Sequence, residues 1–371
     1  MTRVAVIAGM RTPFVKSGKA LKELGPLRLA REAVRGLLNE HEIPAEAIES
    51  LVFGVVVAER GKPNLAREIV FEENLPAHIE AQTISSYCIT GLRTIASVVD
   101  AIQAGRIDCG IAGGVDSLSQ SDPSTFKEPS TGLSMGEHTE MTRKEWNISR
   151  QRQDEIALAS HEHAVAARGK LAAEIHPVLG VEHDTGPRAD TSIEALSGLK
   201  PVFDPEGTLT AGNSSPVTDG ASAVFLMSEE RARRESREPL AFIRTMTFAA
   251  LDPSEGLLMA PAIAVPRALS RSGLKLADIG LIEIHEAFGA QVLANAAAWE
   301  KGWKGQPIGA VDWDKVNVNG SSIAIGHPWA ATGGRIVTTL ANEMARRDES
   351  LGLVSICAAG AMAGAFILER S

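Results

Sequence analysis

Cys88-Ile89-Thr90-Gly91-Leu92-Arg93 opens one amphipathic helix, and Ala331-Thr332-Gly333-Gly334-Arg335 opens another. Each helix leads to a strand that ends in small residues, Ile111-Ala112-Gly113-Gly114 in the first case and Ile356-Cys357-Ala358-Ala359-Gly360 in the second. The repeated grammar implies a duplicated α/β half, and hence a layered sandwich of helices and sheets. In such a sandwich the reactive residues of the two halves face each other across a pseudo-twofold axis.

Around the first of these stretches, apolar strands alternate with amphipathic helices. The pattern predicts strands over Val4 to Ala8, Leu51 to Val57, Gln82 to Ser86 and Asp108 to Gly113, with helices over about Leu27 to Glu40 and Ile89 to Gln103. Parallel strands covered by helices are expected from that alternation. Between Ser117 and Lys200 the texture changes to Ser, Pro, Glu and His, with one helix from Ser149 to Arg168 and Ser149 as its N-cap. This reads as a loop domain inserted into the core, which Ala221 to Met227 then rejoins as a strand. The C-terminal part repeats the alternation: helices over Pro261 to Ser272, Gly289 to Glu300 and Ala331 to Ala345, and strands over Ala241 to Thr247, Gly280 to Ile284, Leu351 to Ile356 and Ala363 to Leu368. The expected boundaries are residues 1–118 and 237–371 for the two halves, 119–215 for the loop domain, and 216–236 for the last strand of the first half with its connector.

The chain has 371 residues, enough for two domains or one duplicated domain with a buried site. Its net charge of -9, with no basic tract, argues against nucleic acid as a partner. Three cysteines, an odd number, speak for free thiols and a reducing, cytoplasmic setting. Met1-Thr2-Arg3-Val4-Ala5-Val6-Ile7-Ala8-Gly9 is too short an apolar run for a signal peptide, and no stretch is apolar enough to span a bilayer.

Four short turns carry the chemistry. Cys88 stands where a strand breaks into a helix, and helix N-termini lower thiol pKa values. A lone cysteine is more often an inert core residue, but Thr90 and Gly91 suit a tight turn with free amides. His327, between Gly326 and Pro328, is excluded from mid-helix by the proline and is either a surface loop residue or a functional one. His285-Glu286 follow a buried strand at its carboxyl end, where α/β folds place ligands, with Glu286 equally readable as an anchor. Cys357 closes another strand, whereas Cys109 lies within a strand and reads as inert. No zinc-binding spacing occurs, His161-Glu162-His163 included, and neither a phosphate loop nor a dinucleotide fingerprint is present. A reactive thiol, two imidazoles and a second thiol suggest carbon–carbon chemistry on a thioester.

Together these turns resemble the thiolase family over nearly the whole chain. Further matches are Arg11-Thr12-Pro13-Phe14, Ala112-Gly113-Gly114-Val115-Asp116-Ser117, Leu199-Lys200-Pro201, Thr210-Ala211-Gly212-Asn213-Ser214-Ser215 and Asp219-Gly220-Ala221. His285, where many thiolases carry Asn, and the Cys-Ala-Ala-Gly turn are similar to the beta subunit of the fatty-acid-oxidation trifunctional protein and its bacterial counterparts. The resemblance implies an α/β fold of the thiolase kind: a duplicated layered α-β-α-β-α sandwich with an inserted loop domain. It also implies a 3-ketoacyl-CoA thiolase of fatty acid beta-oxidation.

By that resemblance Cys88 is the nucleophile, His327 takes its proton, and Cys357 is the second acid/base. The backbone amides of Cys88 and Ala359 form an oxyanion hole, and His285 serves the other oxyanion site directly or through a water. Met135, Ser215 and Phe288 match positions that hold the pantetheine arm of coenzyme A, a substrate; no metal or permanently bound cofactor is expected. Thr90 in place of Ser, Tyr87 crowding the nucleophile from the preceding strand, and Ala361-Met362-Ala363 in place of glycines are departures. The segment from Ser119 to Met135 is shorter than the covering loop of many thiolases, which implies a homodimer and a more open acyl channel. A hydratase/dehydrogenase alpha-type subunit is a further partner that the resemblance brings. Rival readings are an acetoacetyl-CoA thiolase, a ketosynthase-type condensing enzyme with a Cys-His-His site, and a non-catalytic acyl-CoA-binding scaffold.

Overall fold

A computed structural model describes residues 2–122 and 126–370. The first half runs β1 (Val4–Arg11), β2 (Val15–Lys16), α1 (Pro26–Glu40), β3 (Ser50–Val55), α2 (Leu65–Glu72), β4 (Glu80–Ile84), α3 (Thr90–Gln103) and β5 (Cys109–Ser117). Four helices follow before the sheet resumes: α4 (Met135–Glu145), α5 (Arg150–Ala166), α6 (Arg168–Ala172) and α7 (Ile193–Ser197). Then come β6 (Thr218–Ser228), α8 (Glu229–Arg234), β7 (Ala241–Ala250), α9 (Pro261–Ser272), β8 (Leu281–Ile284), α10 (Gly289–Lys301), α11 (Ser322–Ile325), α12 (Thr332–Arg347), β9 (Leu351–Ala358) and β10 (Met362–Glu369).

The strands lie in the order β4-β3-β5-β6-β1-β7-β10-β9-β8, with β2 pairing β6 at the side. The expectation of parallel strands holds only for β3 with β4 and β5, and for β8 with β9. β6 runs antiparallel to both β5 and β1, and β10 antiparallel to both β7 and β9. The sequence alternation missed this because β6 arrives after the inserted segment and β10 after a hairpin, so neither needs the helical crossover that a parallel neighbour demands. The two halves join through a short antiparallel pairing of β1 with β7, Val4 opposite Ile243 and Val6 opposite Ala241.

Three apolar clusters give the layers. Leu29, Val34 and Leu37 of α1 pack with Ile69 of α2 on one face of the first half's strands. Val265 and Leu269 of α9 pack with Val292 and Trp299 of α10 on the outer face of the second half's strands. Between the halves, Leu92, Ile95 and Val99 of α3 join Ile336, Val337 and Leu340 of α12 in one cluster with residues from the strands of both halves. Helices outside, sheets inside and a central helical layer make the α-β-α-β-α sandwich. α12 is buried almost all round, its polar Thr338, Thr339 and Glu343 included, as a helix covered on both sides must be, and α3 buries Leu92, Ile95, Val99 and Ile102 at three- and four-residue spacing.

The central helices touch where their sequences are alike. A Cβ on Gly91 would lie 2.8 Å from the carbonyl oxygen of Ala330 and 2.9 Å from Gly333 Cα, and one on Gly333 would lie 2.6 Å from the amide nitrogen of Leu92. Glycine at both positions therefore permits backbone-to-backbone contact at the two helix N-termini. That contact brings the turns before the helices together.

In the inserted segment Ser149 caps α5, its hydroxyl accepting from the Arg152 amide. The helix α4 was not visible in the composition of this stretch; it starts with a capping box between Ser134 and Glu137. Residues 123–125, within the 119–135 segment that the sequence resemblance marks as short, lie outside the described residues.

Candidate active site

The strand β4 ends at Ile84, and a single 3₁₀ turn, Tyr87–Ile89, carries Cys88 to the start of α3. Tyr87 takes a left-handed backbone, φ 49°, so the chain bends sharply just before the thiol. Thr90 locks this bend: its Oγ1 accepts from the Ser86 amide at 2.7 Å and donates to the Tyr87 carbonyl at 2.6 Å. The threonine methyl fits because Gly54 leaves room, a Cβ there lying 2.0 Å from Thr90 Cγ2. Tyr87 belongs to the turn and not to the preceding strand, contrary to expectation. The residue is 39% exposed and its ring lies against Gly360, so it borders the site from outside.

His327 sits in the turn between α11 and α12, preceded by Gly326 at φ 120°. Its amide donates to Thr218 Oγ1 at 2.8 Å. The surface-loop alternative fails, since only 6% of the residue is exposed. His327 Nε2 lies 3.2 Å from Cys88 Sγ, and Nδ1 lies 2.6 Å from Thr332 Oγ1. For Nε2 to accept the thiol proton, Nδ1 carries hydrogen and donates to Thr332.

His285 directly follows β8, its amide donating to the Ser355 carbonyl at 2.8 Å in continuation of the parallel pairing with β9. Its ring lies 4.1 Å from that of His327, centre to centre, and its Nδ1 is 2.8 Å from Ser322 Oγ. Glu286 is an anchor: its oxygens accept from Ser160 Oγ, Asn317 Nδ2 and the Ile323 amide, tying α5 and α11 to the end of β8.

Cys357 lies near the end of β9, 1% exposed, within an apolar cluster that includes Phe288, Leu258, Ala361 and the edge of Met135. Ala359, Gly360 and Ala361 form the hairpin to β10, with left-handed backbone at Gly360 and Ala361. That turn aims the Ala359 amide at the Cys88 sulfur. Ser215 donates its amide to the Ala287 carbonyl, Ser214 bridges to Phe288, and Phe288 and Met135 belong to the apolar cluster that holds Cys357. The structure brings Cys88, His285, His327, Cys357 and Ala359 together, with Phe288 and Met135 packed around Cys357, whereas Cys109 lies apart. That thiol lies on β5, bonded to the Ala47 carbonyl at 3.0 Å.

The electrostatics reverse one expectation. Burial pushes the Cys88 thiol up to about 12, against the downward pull of the Ala359 amide, with Asp116 adding to the rise. Burial also pushes His327 down to about 3, assisted by the Arg335 charge. His285 is held well below its ordinary value by burial, then by His327 and Arg335. Cys88 and His327 therefore rest as a neutral pair, not as the thiolate that a helix end alone would favour, because desolvation outweighs the few amides facing the sulfur. Cys357 is raised by burial and then by Cys88, which places the two thiols within electrostatic reach of each other.

Cys88, His285 and His327 present donor atoms all within 4.8 Å of one another, a set that sequence spacing did not reveal. Among other residues that the sequence left unmarked are Thr332, Ser322, Arg335 and Glu283. The one readable signal was a lone Glu in Leu281-Ile282-Glu283-Ile284 and a lone Arg early in an apolar helix. Buried together, such charges call for a partner, and Arg335 Nη1 lies 3.6 Å from Glu283 Oε2.

The family model described as "Thiolase, C-terminal domain" matches residues 237–370, and "Thiolase, N-terminal domain" matches 4–131 and 122–230. The chain belongs to the thiolase family. It is 38% identical to a 3-ketoacyl-CoA thiolase of Colwellia psychrerythraea over 421 aligned positions, covering 99% of this chain and 97% of the relative. The same identity and coverage relate it to a 3-ketoacyl-CoA thiolase of Escherichia coli O157:H7. Human mitochondrial 3-ketoacyl-CoA thiolase superposes with a TM-score of 0.92 at 30% identity, covering 100% of this chain and 99% of that one. The Bacillus anthracis acetyl-CoA acetyltransferase gives a TM-score of 0.92 at 31% identity with the same coverage. The N-terminal match breaks into two pieces that overlap at 122–131, which is where this thiolase's segment was read as shortened. Among the described residues no helix is long and apolar enough to cross a membrane.

Proposed function

We propose that this thiolase is a 3-ketoacyl-CoA thiolase, an acetyl-CoA C-acyltransferase that works through an acyl-Cys88 intermediate. The observation that carries the reading is the 3.2 Å approach of Cys88 Sγ to His327 Nε2, with Cys357 buried beside them. His327 Nε2 takes the thiol proton as Cys88 Sγ forms a bond to the 3-keto carbon, so the charged pair exists only during reaction. The resulting oxyanion is held by the Cys88 and Ala359 amides. The bond between C2 and C3 breaks, its electron pair passing to the acetyl-CoA enolate, whose thioester oxygen faces His285 and His327. The Cys357 thiol protonates that enolate at carbon, and acetyl-CoA leaves. A second CoA gives its thiol proton to the Cys357 thiolate and attacks the acyl-Cys88 carbonyl. Cys88 leaves as thiolate and recovers its proton from His327, and every group is then in its starting state.

Coenzyme A enters as substrate along the apolar wall of Met135 and Phe288, with Ser215 beside it; no metal or permanently bound cofactor has a step to perform. The set of Cys88, His285 and His327 serves proton transfer and oxyanion binding in this reading. Degradation of fatty acids by beta-oxidation in the cytoplasm is the setting, with a homodimer as the working unit and an alpha-type hydratase/dehydrogenase subunit as partner. The working division of the chain is two halves, 1–118 and 237–371, around a 119–215 loop domain and a 216–236 connector.

The likeness to an acetyl-CoA acetyltransferase supports a second reading, in which acetoacetyl-CoA is the substrate. Thiolysis rates across 3-ketoacyl-CoA chain lengths, acetoacetyl-CoA included, separate the two: activity confined to acetoacetyl-CoA overturns the first. Intact carbon–carbon bond formation with decarboxylation of malonyl thioesters by Cys357→Ser would favour a ketosynthase. No turnover of any chain length would favour a scaffold.

A further inference from the structure

We propose that Ser322 and Arg335 fix the tautomer of His285, making Ser322 a positioning residue for the second oxyanion site. The inference rests on the thiolase reading for its reaction, but the tautomer itself follows from hydrogen-bond accounting. Arg335 Nη2 donates to Ser321 Oγ at 3.2 Å and to Ser322 Oγ at 3.1 Å. A guanidinium only donates, so both hydroxyls are acceptors towards it and must place their own protons elsewhere. Ser321 places its proton on the Ile284 carbonyl, 3.1 Å away. Ser322 has His285 Nδ1 at 2.8 Å, and nothing else the structure pairs with that hydroxyl accepts a proton. A hydroxyl already accepting from a cation is the better donor for it.

His285 Nδ1 is therefore the acceptor, and in the neutral ring the hydrogen sits on Nε2. That atom is buried, the residue being 0% exposed, and has no hydrogen-bond partner among the described residues. One ring nitrogen of His285 lies within 4.8 Å of Cys88 Sγ and of a His327 nitrogen, and with Nδ1 held by Ser322 it is Nε2 that is left to serve that shared space. An unpaired buried N–H is costly unless something arrives to accept from it, and a thioester oxygen gathering charge is such an acceptor. For His327 Nε2 to accept the Cys88 proton, that ring is held the other way round, with Nδ1–H on Thr332 and a lone pair at Nε2. Two adjacent imidazoles thus have opposite tautomers, one a proton acceptor and the other a donor. The same assignment gives His285 no lone pair to offer a metal at this point. Glu283 Oε2 lies 3.6 Å from Arg335 Nη1, too far for a hydrogen bond, so the two serine hydroxyls are the partners that orient the guanidinium.

Two measurements test this. In wild-type protein labelled with ¹⁵N-histidine, the His285 ring nitrogens are assigned by their loss in His285→Asn. They should show the Nε2–H tautomer without substrate; an Nδ1–H ring overturns the proposal whatever the enzyme's substrate proves to be. In a double-mutant cycle, Ser322→Ala should lower kcat for thiolysis on the order of 10²-fold with KM little changed. In a His285→Asn background it should cost nothing further, because an amide donates without a tautomer to choose. An equal loss in both backgrounds would mean that Ser322 acts through packing and would also overturn the proposal.

Discussion

Adding one methyl group at Gly91 should damage catalysis without touching any reactive group. The new Cβ would lie 2.8 Å from the Ala330 carbonyl oxygen, 2.9 Å from Gly333 Cα and 2.9 Å from the Gly334 nitrogen. All three are backbone atoms, so none can rotate away. Restoring ordinary contact requires α3 and the turn before α12 to part by about half an ångström. Cys88 precedes α3 and His327 precedes α12, so the 3.2 Å contact between them stretches with that separation. We expect Gly91→Ala to lose about 1–3 kcal/mol of stability through overpacking. Its kcat for thiolysis should fall between about 10- and 10²-fold, the scale of a sub-ångström to ångström misplacement. Gly169→Ala, where nothing lies within 4 Å of the added carbon, is the control. Steady-state thiolysis with thermal unfolding of both variants measures the effect. A Gly91→Ala enzyme with wild-type kcat and melting temperature would refute the claim that this glycine contact sets the reactive geometry.

Two further predictions concern protons. Because Cys88 is pushed up to about 12, alkylation of the free enzyme by iodoacetamide should accelerate about tenfold per unit from pH 7 to 9, with Cys88 modified ahead of the buried Cys109. A plateau at neutral pH would instead reveal a preformed thiolate–imidazolium pair. The depressed histidines should make the fold acid-sensitive: His327 stays neutral down to about 3 when folded but protonates near 6.5 when unfolded. The unfolded state then binds more protons, so stability present above 6.5 is lost as pH falls from 6.5 towards 3. At pH 5 the loss is about 2 kcal/mol from His327, read as the difference in denaturant midpoints between pH 7 and 5 for wild type and His327→Asn; identical differences would contradict it.

The layered architecture was legible because its repeat is written in backbone-permissive residues: Gly91 and Gly333 mark the contact of like helices, and the apolar stripes of α3 and α12 follow them. Strand direction was not, since β6 and β10 carry the same apolar pattern whichever way they run. The turns bearing Cys88, His285, His327 and Cys357 stood out through Gly, Pro and small residues at strand ends. Two things were beyond reach. The charge state of Cys88 depends on desolvation by residues distant in sequence, which a helix-end rule ignores. The Ser322–Arg335 relay joins two serines and a helix arginine that look ordinary until β8 and α11 are packed together.

The most direct test of the account is to mix the enzyme with a 3-ketoacyl-CoA in the absence of free CoA, quench, and map the modified peptide by mass. One equivalent of acetyl-CoA per site should be released, with the shortened acyl group on Cys88 and no acylation in Cys88→Ala. Acyl label on another residue, or thiolysis by Cys88→Ala at the wild-type rate, would contradict it.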